Sequence, residues 1–167
     1  MLMALLLVIL EFFNYLLKMN YQKKAEELFC EGYNCAQAVF LTFSEELGME
    51  KETALRLASS FGGGMGGLRE VCGAVSGMAM AVGLARGYTG KNVPEEKKEH
   101  YQRIQRMAEE FERENGSIIC RELLGLAKGE TPMPQERSDS YYKKRPCGEL
   151  CGCAAAIVAK ELGFCEE

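Results

Sequence analysis

Val71-Cys72-Gly73-Ala74-Val75-Ser76-Gly77-Met78-Ala79-Met80-Ala81-Val82 is the stretch that decides the fold. It is apolar almost throughout, and Gly73, Gly77 and Ala81 recur every fourth residue. Residues four apart share one face of a helix. Small side chains on that face let a second helix backbone come close. The pattern predicts a buried central helix over 71–86, with Met78 and Met80 as core filler rather than metal ligands.

Just before it stands Phe61-Gly62-Gly63-Gly64-Met65-Gly66-Gly67. So many glycines cannot form a stable helix interior. They suit close backbone approach and unusual φ/ψ. A phosphate-binding loop would need Lys and Ser/Thr after the last glycine, and Leu68 and Arg69 follow instead. The loop reads as a tight turn that brings Cys72 beside another helix.

Working outward, residues 20–31 read as a short helix with Ala25, Leu28 and Phe29 on one face. Asn34 and Gln37 form a capping box for a helix running to about Leu47, with Gly48 as its stop. Residues 51–61 predict a third helix. Pro94 fits a first helical position. The helix it opens runs to Glu114, with Tyr101, Ile104, Met107, Ala108 and Phe111 as its packing stripe. His100, the chain's one histidine, reads as an exposed, non-catalytic residue on that helix. Ser117 caps a short helix through Leu124. Residues 127–146 are polar and broken by prolines, and read as a surface excursion. A last helix spans Cys147 to Leu162. No segment alternates with period two, so the expected fold is all-α: a single-domain bundle of about six helices.

The totals narrow the function. Net charge is −4 and the pI is near 5.3, which argues against a nucleic-acid partner. Eight cysteines stand at positions 30, 35, 72, 120, 147, 151, 153 and 165. Long helical patterns make a secreted disulfide framework unnecessary. A reducing, cytoplasmic compartment is the expectation.

Met1 to Leu10 is an unbroken apolar run, interrupted by Glu11 and resumed over Phe12 to Leu17. A bilayer-spanning helix needs about 20 apolar residues. The basic start and small-residue cleavage site of a secretory signal are missing. Residues 1–18 are therefore expected to be an apolar extension, either a membrane anchor backed by Lys18, Lys23 and Lys24 or an artefact of a true start at Met19. Residues 19–167 are expected to be the helical cysteine-motif domain. The membrane enters only through a native anchor. The redox partner and a homo-oligomeric state stay open.

Cys35, Cys72, Cys120 and Cys147 each fall where a helix is predicted to begin. A helix start presents unpaired N–H groups and positive potential, which favour a thiolate. Four such thiolates at one end of a bundle would hold an iron–sulfur cluster or a tetrahedral metal. Two close together would cycle between dithiol and disulfide. Cys151 lies one turn beyond Cys147 and is an alternative ligand or resolving thiol. Cys30, Cys153 and Cys165 read as incidental. No C-x-x-C pair exists, which removes the thioredoxin-like and zinc-ribbon spacings.

Several stretches together resemble the redox-active family named for its cysteine pattern, C_GCAxxG_C_C. They are Gly32-Tyr33-Asn34-Cys35-Ala36-Gln37-Ala38-Val39, Phe61-Gly62-Gly63-Gly64-Met65-Gly66, Cys72-Gly73-Ala74-Val75-Ser76-Gly77, and Gly116-Ser117-Ile118-Ile119-Cys120-Arg121-Glu122-Leu123-Leu124-Gly125, with Cys147 before an Ala-rich helix. The resemblance implies that Cys35, Cys72, Cys120 and Cys147 are the family's four characteristic cysteines. It extends to a domain of the split-Soret cytochrome, where an iron–sulfur cluster accompanies haem. Attached haem is not expected here, since C-x-x-C-H is missing. The resulting expectation is a thiol- or iron–sulfur-based oxidoreductase or electron carrier. The alternative is a non-catalytic metal-binding or interaction module with structural cysteines.

Overall fold

The computed structural model describes residues 20–127 and 136–164. The apolar extension over 1–18, Met19 and Cys165 lie outside them, as do residues 128–135. The described residues form α1 (20–30), α2 (Cys35–Ser44), α3 (Lys51–Ser59), α4 (Gly73–Arg86), α5 (Pro94–Asn115), α6 (Cys120–Leu123), α7 (Asp139–Lys144) and α8 (Cys147–Leu162). The fold is all-α. Of its eight helical segments, α6 is the short helix expected through Leu124, and α7 is the one that the sequence pattern did not predict. Among the described residues, β pairing is limited to one isolated bridge, Val71 with Ile119. None of the described helices is long and apolar enough to cross a membrane.

The glycine ladder does what its spacing predicts. α4 packs against both α2 and α8, which also meet each other. A Cβ placed on Gly77 would lie 2.6 Å from the Ala36 carbonyl oxygen and 3.0 Å from Val39 Cβ. One placed on Gly73 would lie 3.1 Å from Cys35 Cβ. Ala81 continues the same face, fully buried. Around this contact sit Val39, Phe43, Met78, Val82, Leu150 and Val158.

Caps fix the ends. Asn34 Oδ1 accepts from the Gln37 amide at 3.0 Å, and Gln37 Oε1 accepts from the Asn34 amide at 3.1 Å. α2 stops at Ser44, short of Leu47, because the chain turns over 45–48 to reach Gly48 at φ +78°. Ser117 is not the cap of α6; Ile119 holds that position. The Ser117 hydroxyl instead accepts from the Ile119 amide at 2.9 Å and donates to Glu122.

Three expectations need correcting. Tyr101 is exposed, and α5 buries only Met107 and Phe111. Tyr101 meets Tyr88, which also lies edge-on to His100. That contact leaves His100 half-buried rather than exposed. The third concerns 136–146. This stretch is not a surface excursion: it contains α7, whose Tyr141 and Tyr142 pack on the core.

Gly77→Ala should therefore destabilise the protein by about 1–3 kcal/mol through overpacking. Gly83 lies on the same helix with nothing within 4 Å of an added Cβ. Gly83→Ala should be neutral or gain up to about 1 kcal/mol from helix propensity. Denaturant midpoints of the two variants check this, and equal values would exclude close packing at Gly77.

Candidate thiol site

Each helix-start cysteine is positioned by its own local structure. Cys35 opens α2 behind the Asn34 cap. Cys72 is the N-cap residue of α4. Cys120 and Cys147 open α6 and α8, and Cys151 follows one turn into α8. Tertiary contacts then gather them. The Cys72 amide donates to the Ile118 carbonyl at 2.8 Å, and the Cys120 amide to the Glu70 carbonyl at 2.7 Å, the two bonds flanking the Val71–Ile119 bridge. That bridge lays Cys72 and Cys120 on neighbouring chains. Gly64 lets Cys120 in: a Cβ there would lie 2.8 Å from Cys120 Cβ. The loop manages this with left-handed backbone at Gly63, Gly64, Met65, Gly66, Gly67 and Arg69. Across the α2–α4–α8 junction, Cys147 and Cys151 both neighbour Cys35. Cys151 Sγ also approaches the Cys35 carbonyl at 3.7 Å.

The structure thus brings Cys35, Cys72, Cys120, Cys147 and Cys151 into one cluster, and each is a free thiol. Cys30 lies apart and exposed. Cys153 also lies apart, accepting from Asn115 Nδ2 and donating to Glu114 Oε2, each at 3.1 Å.

The model of the family described as "Putative redox-active protein (C_GCAxxG_C_C)" matches residues 33–161. The chain belongs to this family. No curated protein and no solved structure matches it.

The family's thiols are not thiolates here. Burial pushes Cys72 up to about 12, although the amides of Ala74 and Val75 at the start of α4 pull the other way. Cys147 is raised because its proton is shared with Cys35, and burial adds to the effect. That shared proton favours the Cys35 thiolate, yet the bond to Cys151, burial and the neighbouring sulfurs outweigh it and raise Cys35 as well. Cys151 and Cys120 are raised chiefly by burial. The helix-start field read from the sequence is present, but desolvation and mutual repulsion exceed it.

Sequence reasoning missed the cations around the cluster. Arg69 is buried, and its Nη1 lies 3.8 Å from Cys120 Sγ. Arg137 Nη1 donates to the Phe29 carbonyl at 3.1 Å and the Tyr33 carbonyl at 2.8 Å, which brings its charge near Cys147 and Cys151. Arg145 lies 4.6 Å over the Tyr141 ring and near Cys120 and Cys147. The one sequence signal was Arg69, two residues after the last glycine of the loop.

A cluster of thiols has the right donor chemistry for iron–sulfur ligation. The geometry does not match it. Among the described residues, no three Cys, His, Asp or Glu side chains form a group that a metal ion could share. What the arrangement offers as it stands is thiol–disulfide chemistry between neighbouring sulfurs.

The raised thiols predict a pH dependence. Each holds its proton more tightly folded than unfolded, so the folded chain binds more protons as pH rises through the thiol range, and stability falls there. For Cys72 the contribution is complete below the ordinary thiol value of 9.0 and is lost as pH climbs toward about 12. Cys72→Ser removes this titration and installs a good N-cap for α4. The denaturant midpoint of the reduced protein should decline above pH 9, and less steeply in Cys72→Ser. Equal slopes would refute burial of Cys72 as the source.

Proposed function

We propose that the protein is a thiol-based redox protein in which Cys35 and Cys147 cycle between dithiol and disulfide. The observation that carries this reading is the gathering of Cys35, Cys147 and Cys151 where α2 meets α8, with Cys151 Sγ 3.7 Å from the Cys35 carbonyl and all three free thiols. Cys35 is the partly exposed member and the centre of the trio. Oxidation joins the sulfurs of Cys35 and Cys147, releases two protons and passes two electrons to a disulfide-bearing oxidant. Cys151 is the alternative partner for Cys35 within the same trio. Cys72 and Cys120, held together by the bridge, form the neighbouring pair that receives or supplies the exchange. Family membership supports redox activity in general.

An iron–sulfur site on Cys35, Cys72, Cys120 and Cys147, with Cys151 as a spare ligand, is the second reading. The observation favouring it is that the cluster holds more sulfurs than one dithiol needs. It requires at least three of those side chains to turn toward a common point.

Protein purified without oxygen decides between them. The dithiol reading expects a colourless, iron-free protein. Mild oxidation should then remove two hydrogens and link Cys35 to Cys147 or Cys151 in non-reduced peptide maps, and Cys35→Ser should abolish that link. Stoichiometric iron and acid-labile sulfide, with visible absorbance lost in Cys72→Ser, would replace the dithiol with the cluster.

A further inference from the structure

Residues 137–146 lead directly into Cys147, and Arg137 ties them to the turn that leads into Cys35. Its Nη1 donates to the Phe29 carbonyl at 3.1 Å and to the Tyr33 carbonyl at 2.8 Å. Its guanidinium also lies 4.8 Å over the Phe29 ring and 5.7 Å over the Tyr141 ring. Tyr33 stands two positions before Cys35, with the Asn34 cap between them. Tyr142 adds a second tie, its ring meeting Phe29 edge-on at 5.8 Å. Phe29 is buried, and a Cβ on Gly148 would lie 3.8 Å from its ring. One ring of α1 thus lies beside Arg137, Tyr142 and the first turn of α8.

These ties act on a weak helix start. Pro146 stands at the N-cap of α8, and no side chain caps it. Gly148 follows Cys147, and glycine is a poor helix former. Helix ends of this kind fray. α7 is six residues long and also lacks a side-chain cap, so it too depends on tertiary contacts. Cys151 is placed differently. It lies one turn inside α8, fully buried, with its Sγ 3.7 Å from the Cys35 carbonyl. The packing of α8 on α2 sets that approach. We propose that Arg137 is a positioning residue that makes Cys147, rather than Cys151, the disulfide partner of Cys35. The proposal rests on the thiol redox reading above and selects between its two partners for Cys35.

The two disulfides of Cys35 compete by simple exchange. With glutathione disulfide as the oxidant, the Cys35 thiolate attacks one sulfur and a glutathione thiolate leaves. The Cys147 thiolate then attacks the Cys35 sulfur, closing the Cys35–Cys147 bond and expelling the second glutathione thiolate. Both leaving groups take up the protons that the two protein thiols gave. Two electrons pass to the glutathione disulfide, which becomes two thiols. Isomerisation needs no further oxidant. The Cys151 thiolate attacks the Cys35 sulfur, the Cys35–Cys151 bond forms, and Cys147 leaves and takes the proton that Cys151 lost. Each isomer holds one disulfide and one neutral thiol. Their equilibrium ratio therefore reads how near Cys35 each sulfur is held, not the charge of Arg137.

The test equilibrates the full chain in glutathione buffer near neutral pH, quenches it with acid and maps its peptides without reduction. Cleavage after Glu149 separates Cys147 from Cys151. The Cys35–Cys147 form should dominate in the parent chain. Arg137→Gln should lower its ratio to the Cys35–Cys151 form by roughly tenfold, the lower end of what a hydrogen bond from a charged group supplies. If Arg137→Gln does not fold, Tyr142→Leu, which keeps the Arg137 charge, takes its place with a shift in the same direction. Phe111→Leu, at a buried position of α5, lowers the denaturant midpoint and should leave the ratio unchanged. A dominant Cys35–Cys151 form in the parent chain, a ratio unmoved by releasing the tie, or one moved as far by Phe111→Leu, would each overturn the assignment and leave the redox reading standing. If no protein disulfide forms at any glutathione ratio, the redox reading falls instead. Dibromobimane, which bridges two nearby thiols, then reads the same partition. A shift from Cys147 to Cys151 in Tyr142→Leu keeps the positioning role, and no shift removes it.

Discussion

The backbones of α2 and α4 come within touching distance at Gly73 and Gly77, and the thiol cluster depends on that contact. A single added carbon at Gly77 would press on the Ala36 carbonyl at 2.6 Å. One at Gly73 would crowd Cys35. The contact that closes the core thus also sets how near Cys35 comes to Cys72. α8 packs on both α2 and α4 and completes the arrangement, with Cys147 and Cys151 one turn apart. Packing and site cannot be separated here, because the sulfurs are themselves core residues: Cys72 is 3% exposed and Cys151 0%.

Two opposed effects then decide the state of those sulfurs. Helix starts supply N–H groups and a positive potential that favour thiolates. Burial removes water, and neighbouring sulfurs repel one another once charged. The second pair of effects prevails at every thiol of the cluster. A neutral thiol is cheap to bury, since it behaves as a small hydrophobe. The reduced protein can therefore be stable with its reactive groups inside, and reactivity is granted locally, where a cation or a shared proton lowers the cost of one negative charge.

Much of this was legible in the sequence because it is local. The ladder Gly73, Gly77 and Ala81 declares a close helix contact by spacing alone. Asn34 and Gln37 declare a helix start, and the structure contains the same capping box. Helix starts at or beside Cys35, Cys72, Cys120 and Cys147 follow from caps, prolines and glycines nearby. The rest is non-local. Nothing near Tyr142 announces that it will pack on the core, because its ring meets Phe29 on the distant α1. Arg137 bonds carbonyls more than a hundred positions away, at Phe29 and Tyr33. The exposure of Tyr101 had the same origin: the stripe on α5 is amphipathic along its length, but only its C-terminal half meets α8 deeply enough to bury Met107 and Phe111. Burial of the thiols, which reverses their expected charge, is also a tertiary property.

The cations around the thiols bear on how a dithiol would react. A buried thiolate needs compensating charge close by. Arg69, Arg137 and Arg145 supply positive charge to the cluster, but unevenly. Arg69 and Arg145 act on Cys120, Arg137 and Arg145 on Cys147, and none is among the main influences on Cys72. Cys72 has only the two amides of α4 against its burial. A dithiol needs just one thiolate at a time, and the uneven field suits that. It lowers the cost of a negative charge at Cys120, on which Arg69 and Arg145 both act, and leaves Cys72 neutral in the core.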